Sequence, residues 1–504
     1  MIVEEKTRSA RAPQKRTPLE VFLGGIAFLF SVAVALGLGW AIGRRIVEEE
    51  WQILVTLAGI GTYLVVALID ARHALLLWIV TAPFARFVHL DLDLGRGIPN
   101  ITLNRIMTGV LLALLLAQLA TRRRKMARPS AADVFLLAFC GAMILAVPQS
   151  TAGFTRAIQS MFDLIITPIG LYFLARNLIV SKRDLRGIMI ALSIIGCYLG
   201  LLATHEQLTG DVWFYPEDRS VYYTASLRRV VGLLGNPAFI AVCIGMAIPW
   251  GWYLVLNTRR HRLLYLFAVL SGMSGIFFCM NRSGWVGLLV SMIVMALFVR
   301  RFRPIFIMML MAAVVVAALY WAWLITSPIV RERLTAEGPL EYRREAWNVA
   351  WQMIRDHPLF GVGYENYRSL YRQYSRWSVY LRAEPSPHNT YLWVQVTAGL
   401  VSLVPFVAFL AAIVFPALGI YLRSRYDPLR AAEADLAGTF LASLAAILMP
   451  ALVMDVLIGY YNNMVLFLIV GAFYGVMRGS GRELSSIQSG TTTIPLASAK
   501  EIPT

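Results

Sequence analysis

Charged residues are scarce in this chain, and their scarcity excludes most soluble folds. Only 15% of its 504 residues are Asp, Glu, Lys or Arg, against about 25% in soluble domains, whereas 58% are hydrophobic. The four cysteines lie inside apolar runs without disulfide or metal-ligand spacing, and we expect them to pack there. The sequence also lacks a phosphate-binding glycine loop and a Cys/His metal pattern. We therefore expect no cofactor, no metal ion and no dependence on ATP.

Long apolar runs separated by short charged loops predict an all-α, polytopic helical membrane protein. Only helices and closed barrels span a bilayer, and these runs are too long for barrel strands. About fourteen transmembrane helices are predicted. They cover residues 20–42, 51–70, 72–88, 101–120, 132–149, 158–178, 186–204, 236–256, 263–281, 284–300, 305–325, 389–421, 434–456 and 461–477. The span 72–88 is a candidate re-entrant segment, and 389–421 is a candidate for a break at Pro405 or Pro416.

The formal net charge of +17 does not indicate nucleic-acid binding, because the basic residues are spread over many short loops. All five lysines lie on the predicted side of the two termini, and they are Lys6, Lys15, Lys125, Lys182 and Lys500. Since cytoplasmic loops are enriched in Lys and Arg, we expect both termini in the cytoplasm. The expected location is the cytoplasmic (inner) membrane, with one large helical loop facing outward.

The spans and loops predict seven regions along the chain. Cytoplasmic tails are expected at residues 1–19 and 479–504, and the second of them is expected to be disordered. The transmembrane regions are 20–204, 236–326 and 389–478. An extracytoplasmic loop covers 205–235, and a large extracytoplasmic catalytic loop covers 327–388. This large loop contains nine arginines, no lysine and many aromatic residues. It is the only long polar break in the chain, so we expect the chemistry there.

The first part of the large loop, residues 341–358, has the spacing of an amphipathic helix. Trp347, Ala350, Trp351 and Ile354 recur at intervals of three and four, and Pro358 ends the pattern. The alternative is an interfacial helix with its tryptophans at the lipid headgroups.

The second part of the large loop pairs an aromatic stripe, which includes Tyr364 and Tyr371, with an arginine row formed by Arg368, Arg372 and Arg376. Aromatic faces suit sugar rings and arginine forks suit phosphate, which makes these five residues weak candidates for acceptor or glycan contacts. An interfacial helix on anionic lipid explains the same pattern and stays an open alternative.

His388 ends the large loop, between Pro387 and a helix start at Asn389 and Thr390. A lone histidine is usually structural, but this position at the membrane surface, near many arginines, makes it a candidate proton acceptor. Further arginines occur at predicted outer helix ends, namely Arg228, Arg229 and Arg282. Asp163 and Asp455 lie near or within spans, as counter-ions or as a carboxylate in the mechanism, and the sequence does not decide between these roles.

Four tracts in this order, RRVVGLLGNPAFIA, MNRSGWVG, REAWNVAWQMIRDHPLFGVGYENY and PHNTYLWVQVTAGL, resemble the O-antigen ligase and polymerase superfamily. The resemblance implies a GT-C type membrane glycosyltransferase that transfers a glycan from undecaprenyl diphosphate to an acceptor hydroxyl. In-line attack in such a reaction would invert the anomeric centre. The resemblance further implies His388 as the group that activates the acceptor. The arginines that it implies for the diphosphate are Arg229 and Arg282, and one of Arg343 and Arg344 falls where the family has a further arginine. Arg228, next to Arg229, is an additional candidate for diphosphate binding from its position alone.

Other functions stay open at this stage. A transporter or flippase for an anionic amphiphile would predict internal repeats and charges through the midplane, whereas the charges here gather at one face. A non-catalytic subunit of a polysaccharide export complex is the third possibility. The expected partners are the lipid-linked glycan donor, a glycan or lipid acceptor, the bilayer and, as further candidates, other polysaccharide assembly proteins. The sequence does not distinguish a ligase from a polymerase.

Overall fold

The computed structural model describes residues 51–87, 91–92, 101–214, 221–224, 227–321, 338–375 and 385–488. The chain divides into two compact units, Met1–Thr62 and Tyr63–Thr504. In the first unit, the described residues form the beginning of helix α1. The expected N-terminal tail and first span lie outside the described residues, as do residues 489–504.

The described residues are mostly helical, which confirms the all-α prediction. The α-helices, in chain order from α1 to α16, are Trp51–Ile69, Ala71–Thr81, Leu103–Ala120, Ala131–Leu145, Phe154–Met161, Thr167–Leu178, Lys182–Thr209, Pro237–Asn257, Arg262–Phe278, Arg282–Phe298, Arg303–Leu319, Gly338–Asp356, Asn366–Tyr374, Thr390–Ser424, Ala431–Leu448 and Tyr460–Gln488. Two short antiparallel ribbons accompany them, β1 (Asp91–Leu92) with β2 (Ile101–Thr102) and β3 (Val221–Thr224) with β4 (Leu227–Arg229).

A polytopic membrane protein is the architecture that these helices support. Among the described residues, nine helical segments are long and apolar enough to cross a membrane by length and composition, and four shorter apolar helices accompany them. Each of them falls on an expected span, and the first expected span, 20–42, lies outside the described residues. The count of about fourteen spans therefore stays a prediction.

Small residues allow the membrane helices to approach closely. Where α7 crosses α9, a Cβ on Gly200 would lie 2.2 Å from the Ser271 carbonyl oxygen, so only glycine fits at this crossing. Where α16 crosses α6, a Cβ on Gly471 would lie 2.3 Å from the Tyr172 carbonyl oxygen. In lipid, such close backbone approach supplies the van der Waals contact that holds helices together.

Helix α14 is interrupted at Ala398 (φ −138°) and Gly399 (φ 67°, ψ −166°). The backbone groups released there pair with the segment that follows α12: Val362 N–H donates to the Val396 carbonyl oxygen at 2.8 Å, and Leu400 N–H donates to that of Pro358 at 3.0 Å. A spanning helix can break only where such partners exist. The expectation of a break at Pro405 or Pro416 is therefore wrong.

The described part of the large loop has a small hydrophobic core of its own. Helix α12 contributes Val349, Ala350 and Met353, and helix α13 contributes Tyr367 and Tyr371. The first turns of α14 complete this core with two further side chains, Leu392 and Val396. The loop is therefore a folded element built onto α14.

The inward face of α12 differs from the expected one. Trp351, expected on the apolar face, is 51% exposed, whereas Val349 and Met353 are fully buried. The expected and observed faces share Ala350 and Ile354, so the sequence pattern fits either one. The small core accommodates the narrower side chains and leaves the indole outside.

Candidate active site

His388 lies in the turn that leads into α14. Asn389 caps the helix, as expected, because its Oδ1 accepts the N–H groups of Tyr391 at 2.9 Å and Leu392 at 3.1 Å. His388 itself has a left-handed backbone with φ of 47°. Such a conformation costs a non-glycine residue about 1–3 kcal/mol and persists only where surrounding contacts impose it.

Asp455 supplies those contacts. Its carboxylate accepts the N–H of His388 at 3.0 Å on Oδ2 and the N–H of Asn389 at 2.8 Å on Oδ1, and the Ser386 hydroxyl also donates to Oδ2. Asp455 is only 2% exposed, so these bonds are shielded from water. The Asp455 carboxylate therefore holds the backbone of the His388 turn.

The connector, which we define as residues 450–459 between α15 and α16, has further bonds to the same turn. The Thr390 hydroxyl donates to the Met454 carbonyl oxygen at 2.9 Å and accepts from Val456 N–H at 2.9 Å. The Asn389 side-chain amide donates to the Leu452 carbonyl oxygen at 2.9 Å. The connector therefore fixes the start of α14 on both sides of Asp455.

Helix α12 places an aromatic ring and a positive charge beside His388. The Tyr342 and His388 rings meet edge to face with their centroids 5.5 Å apart. Arg343, on the next position of α12, acts electrostatically on the imidazole, whereas the Arg344 side chain is exposed. The structure thus favours Arg343 over Arg344 as the arginine next to the histidine.

Burial shifts both titratable groups of this turn. It lowers the pKa of His388 to about 4, with the charge of Arg343 as the second cause. Burial raises the pKa of Asp455 to about 6, against the opposing effect of the hydrogen bonds from Ser386, Asn389 and His388. Around neutral pH, the imidazole is therefore uncharged and the carboxylate is ionised.

Arg282 begins α10 in a turn that rests on the connector. The Asn281 side chain caps the helix by accepting Gly284 N–H at 2.8 Å, and the Ser283 hydroxyl lies 3.6 Å from the Met454 sulfur. The Arg282 side chain is exposed. The turn that carries Arg282 is therefore adjacent to the residue that precedes Asp455.

Arg229 ends strand β4, and the chain after it is held by a carboxylate that the sequence reasoning missed. Glu206, 4% exposed, accepts Val231 N–H and Gly232 N–H at 2.7 Å each. Helix α8 then starts beside the connector, where a Cβ on Gly459 would lie 3.1 Å from the Phe239 ring. The side chain of Arg228 lies outside the described residues.

The arginine row and the aromatic stripe of the large loop point in different directions. Arg368 and Arg372 are exposed on α13, and Arg376 lies outside the described residues. Tyr364 is fully buried with its hydroxyl 3.3 Å from that of Ser160, and Tyr371 is 3% exposed in the small core of the loop. A glycan contact by these two tyrosines stays a prediction without exposed surface to support it.

Asp163 pairs with an arginine close to Tyr460, where the connector meets α16. Its carboxylate receives both arms of the Arg105 guanidinium, at 2.9 Å and 3.0 Å. The sequence reasoning did not single out Arg105, because nothing local marks it as the partner of a residue 58 positions away. Within the described ranges, no group of three or more His, Cys, Asp or Glu side chains is placed to hold a metal ion.

Comparison with known families gives one match. Residues 266–407 match the family model described as O-antigen ligase, whereas no curated protein matches the chain. The matched region contains Arg282, Arg343 and His388 and extends past the break in α14. The resemblance to the O-antigen ligase and polymerase superfamily is thereby confirmed for residues 266–407, and the long apolar helices of the described residues fit a multi-pass membrane protein.

Proposed function

We propose that this protein transfers a glycan from an undecaprenyl-diphosphate carrier to an acceptor hydroxyl on the outer face of the cytoplasmic membrane. One observation carries the proposal: His388, inside the region that matches the family model, is fixed by a buried carboxylate and lies beside Arg343. A positioned neutral imidazole next to an anion-binding guanidinium is the pair of groups that this transfer needs.

His388 acts as the general base in this proposal. With a pKa of about 4, the imidazole is neutral around pH 7 and has a free lone pair. It takes the proton from the acceptor hydroxyl as that oxygen bonds to the anomeric carbon. The bond from this carbon to the diphosphate oxygen breaks, and the carrier diphosphate leaves with the electron pair. In-line attack inverts the anomeric centre.

Arginine side chains stabilise the leaving diphosphate in the proposed reaction, which then needs no metal ion. The planar guanidinium fork binds phosphate oxygens in pairs and stays charged at any working pH. Arg343 acts electrostatically on His388, and Ser283, next to Arg282, contacts Met454 of the connector. Phe239, in the helix that follows Arg229, meets the connector at Gly459. A bound diphosphate would also neutralise the Arg343 charge, which raises the basicity of His388 as the substrate arrives.

The outward orientation rests on the distribution of charge. The site forms at the C-terminal ends of α7 and α15 and at the start of α14. The opposite ends of α7 and α15 carry two ion pairs, Arg72 with Asp184 at 3.0 Å and Arg430 with Glu433 at 2.9 Å. The loops rich in arginine and lysine also lie at these ends. Because cytoplasmic loops are enriched in Lys and Arg, we place the site outside.

The proposal is tested by replacing His388 in the purified protein, reconstituted in nanodiscs with lipid-linked glycan and acceptor. His388→Gln is expected to lower the rate of glycan transfer by about 10²- to 10⁴-fold, the usual contribution of a general base. Expression and thermal stability should stay close to those of the wild type. The control is His357→Gln, because His357 is exposed and lies in the same large loop. Wild-type transfer by His388→Gln would refute the assignment.

The same assay separates the remaining functions. Transfer by the purified protein alone would exclude a non-catalytic subunit, and transport of the lipid without any new glycosidic bond would favour a flippase. Mass analysis of the product distinguishes a ligase, which adds glycan to a different acceptor, from a polymerase, which lengthens a lipid-linked glycan.

A further inference from the structure

A cavity of about 170 Å³ lies next to the connector. It is bounded by Pro83 after α2, Asn104 at the start of α3, Phe239 at the start of α8, and the residues Ile458, Tyr460 and Asn462. The connector and the helix that follows Arg229 therefore form part of the cavity wall. It holds roughly five water volumes, about the space of one sugar ring.

Asn462 is the unusual residue of this cavity. It is fully buried, yet neither its Oδ1 nor its Nδ2 has a hydrogen-bond partner among the described residues. The Tyr460 hydroxyl and Asn104 Oδ1, on the same cavity wall, are also without a partner in the described part of the chain. A buried polar group left unpaired destabilises the fold, so such groups usually have a ligand or ordered water as partner.

The neighbouring Asn463 is a buried asparagine with a structural role and serves as a comparison for Asn462. It is equally buried, but its Nδ2 donates to the Leu164 carbonyl oxygen at 2.8 Å and to the Leu457 carbonyl oxygen at 2.6 Å. Asn463 therefore fastens α16 to its surroundings, whereas the Asn462 amide makes no such bond within the described part of the chain.

The chemistry of the cavity suits a neutral, hydroxyl-rich ring. None of its lining residues in the described part of the chain carries a charge, which distinguishes the cavity from a phosphate site. Two amide side chains and a phenol offer donors and acceptors, while Phe239 and Tyr461 offer aromatic surface. Hydroxyl groups on a ring with apolar faces combine these two kinds of contact.

We propose that this cavity binds one sugar ring of the lipid-linked glycan, with Asn462 as the residue that recognises its hydroxyl groups. The assignment rests on the proposed function and adds a glycan subsite to it. The position fits, because the cavity lies between the segment that follows Arg229 and the connector that holds His388. A sugar seated there is next to the elements assigned to the diphosphate and to the base.

The test uses Asn462→Leu, which keeps the approximate volume and removes both polar atoms. Two donor lipids serve as probes: undecaprenyl diphosphate, and the same lipid bearing its glycan, extracted from cells that make the protein. We expect the wild type to bind the glycosylated lipid roughly tenfold more tightly, the effect of one to two hydrogen bonds. Asn462→Leu should bind both lipids equally, with unchanged affinity for the bare lipid and an unchanged or higher Tm.

The control variant is Asn463→Leu, which should lower the Tm because it removes two hydrogen bonds. A preserved tenfold preference in Asn462→Leu would overturn the subsite. Equal binding of the two lipids by the wild type would also overturn it, while leaving the proposed function intact. Failure of the wild type to bind even the bare undecaprenyl diphosphate would instead refute the proposed function.

Discussion

Replacing Asp455 with asparagine tests the arrangement that holds His388. Each oxygen of the Asp455 carboxylate accepts one backbone N–H, from His388 at 3.0 Å and from Asn389 at 2.8 Å. An asparagine amide of the same shape keeps one acceptor oxygen and puts an NH₂ donor in place of the other. One buried N–H then faces a donor, which costs about 1–3 kcal/mol.

This cost translates into a rate and a pH dependence. At about 1.4 kcal/mol per factor of ten, Asp455→Asn should lower the transfer rate roughly 5- to 100-fold at pH 7.5. Because burial raises the pKa of Asp455 to about 6, the carboxylate that accepts both N–H groups predominates above pH 6 and is lost below it. The wild-type rate should therefore approach that of the variant as the pH falls from 7 to 5.

The assay is the initial rate of glycan transfer by both proteins, measured across this pH range in the same nanodiscs. Ionisation of the substrate affects both proteins equally and cancels in the ratio of their rates. His388, with a pKa of about 4, does not change charge in this range. A ratio that stays constant from pH 5 to 7, or full activity of Asp455→Asn, would refute the positioning role.

Asp184 provides a matched control for this experiment. It also accepts a backbone N–H and a hydroxyl, both from Ser181, at 3.1 Å and 2.8 Å, but at the opposite end of α7 from the site. The ratio of the transfer rates of the wild type and Asp184→Asn should be the same from pH 5 to 7. A loss of activity that matched that of Asp455→Asn would show a general effect on folding.

Two further predictions concern Arg343 and the break in α14. Arg343→Ala should lower the transfer rate by about tenfold or more, because it removes a charge-assisted contact to the diphosphate. Arg344→Ala, at an exposed position, should have little effect on the rate. Equal losses of rate in the two variants would contradict the choice of Arg343. Gly399→Ala should strongly lower the Tm in detergent, because its Cβ would lie 2.0 Å from the Leu359 carbonyl oxygen at a φ of 67°. Gly419→Ala, with nothing within 4 Å, should leave the Tm unchanged or raise it, and a similar Tm for both variants would contradict the strain argument.

The parts of the site that depend on near neighbours in the chain were predictable from the sequence. The Pro-His-Asn-Thr tract places His388 before a helix start, and Asn389 caps that helix as expected. The Asn-Arg-Ser-Gly tract likewise places Arg282 in the first turn of α10, where Asn281 is the cap. Capping is a local property, and both tracts carry the residues that it requires.

The carboxylates that hold these turns could not be assigned from the sequence. Asp455 reaches His388 across 67 positions, and Glu206 reaches Val231 across 25. Both carboxylates lie near ends of apolar runs, where a sequence offers several equivalent partners for an acidic residue. The choice among them depends on how the helix ends meet in three dimensions.

The break in α14 shows a second limit of sequence reasoning. Prolines are the residues that usually interrupt helices, yet the helix continues through Pro405 and Pro416 and breaks at Gly399. A proline removes one donor, which the neighbouring turn can tolerate. A full break requires outside partners for several backbone groups, and only the tertiary contact with residues 358–363 supplies them.

That contact joins the large loop directly to α14. Four backbone hydrogen bonds join residues 358–363 to both sides of the break, from Val362, Gly363, Leu400 and Val401. The residues between the His388 turn and the break in α14 are therefore held at both ends, by Asp455 at His388 and by the large loop at residues 396–401.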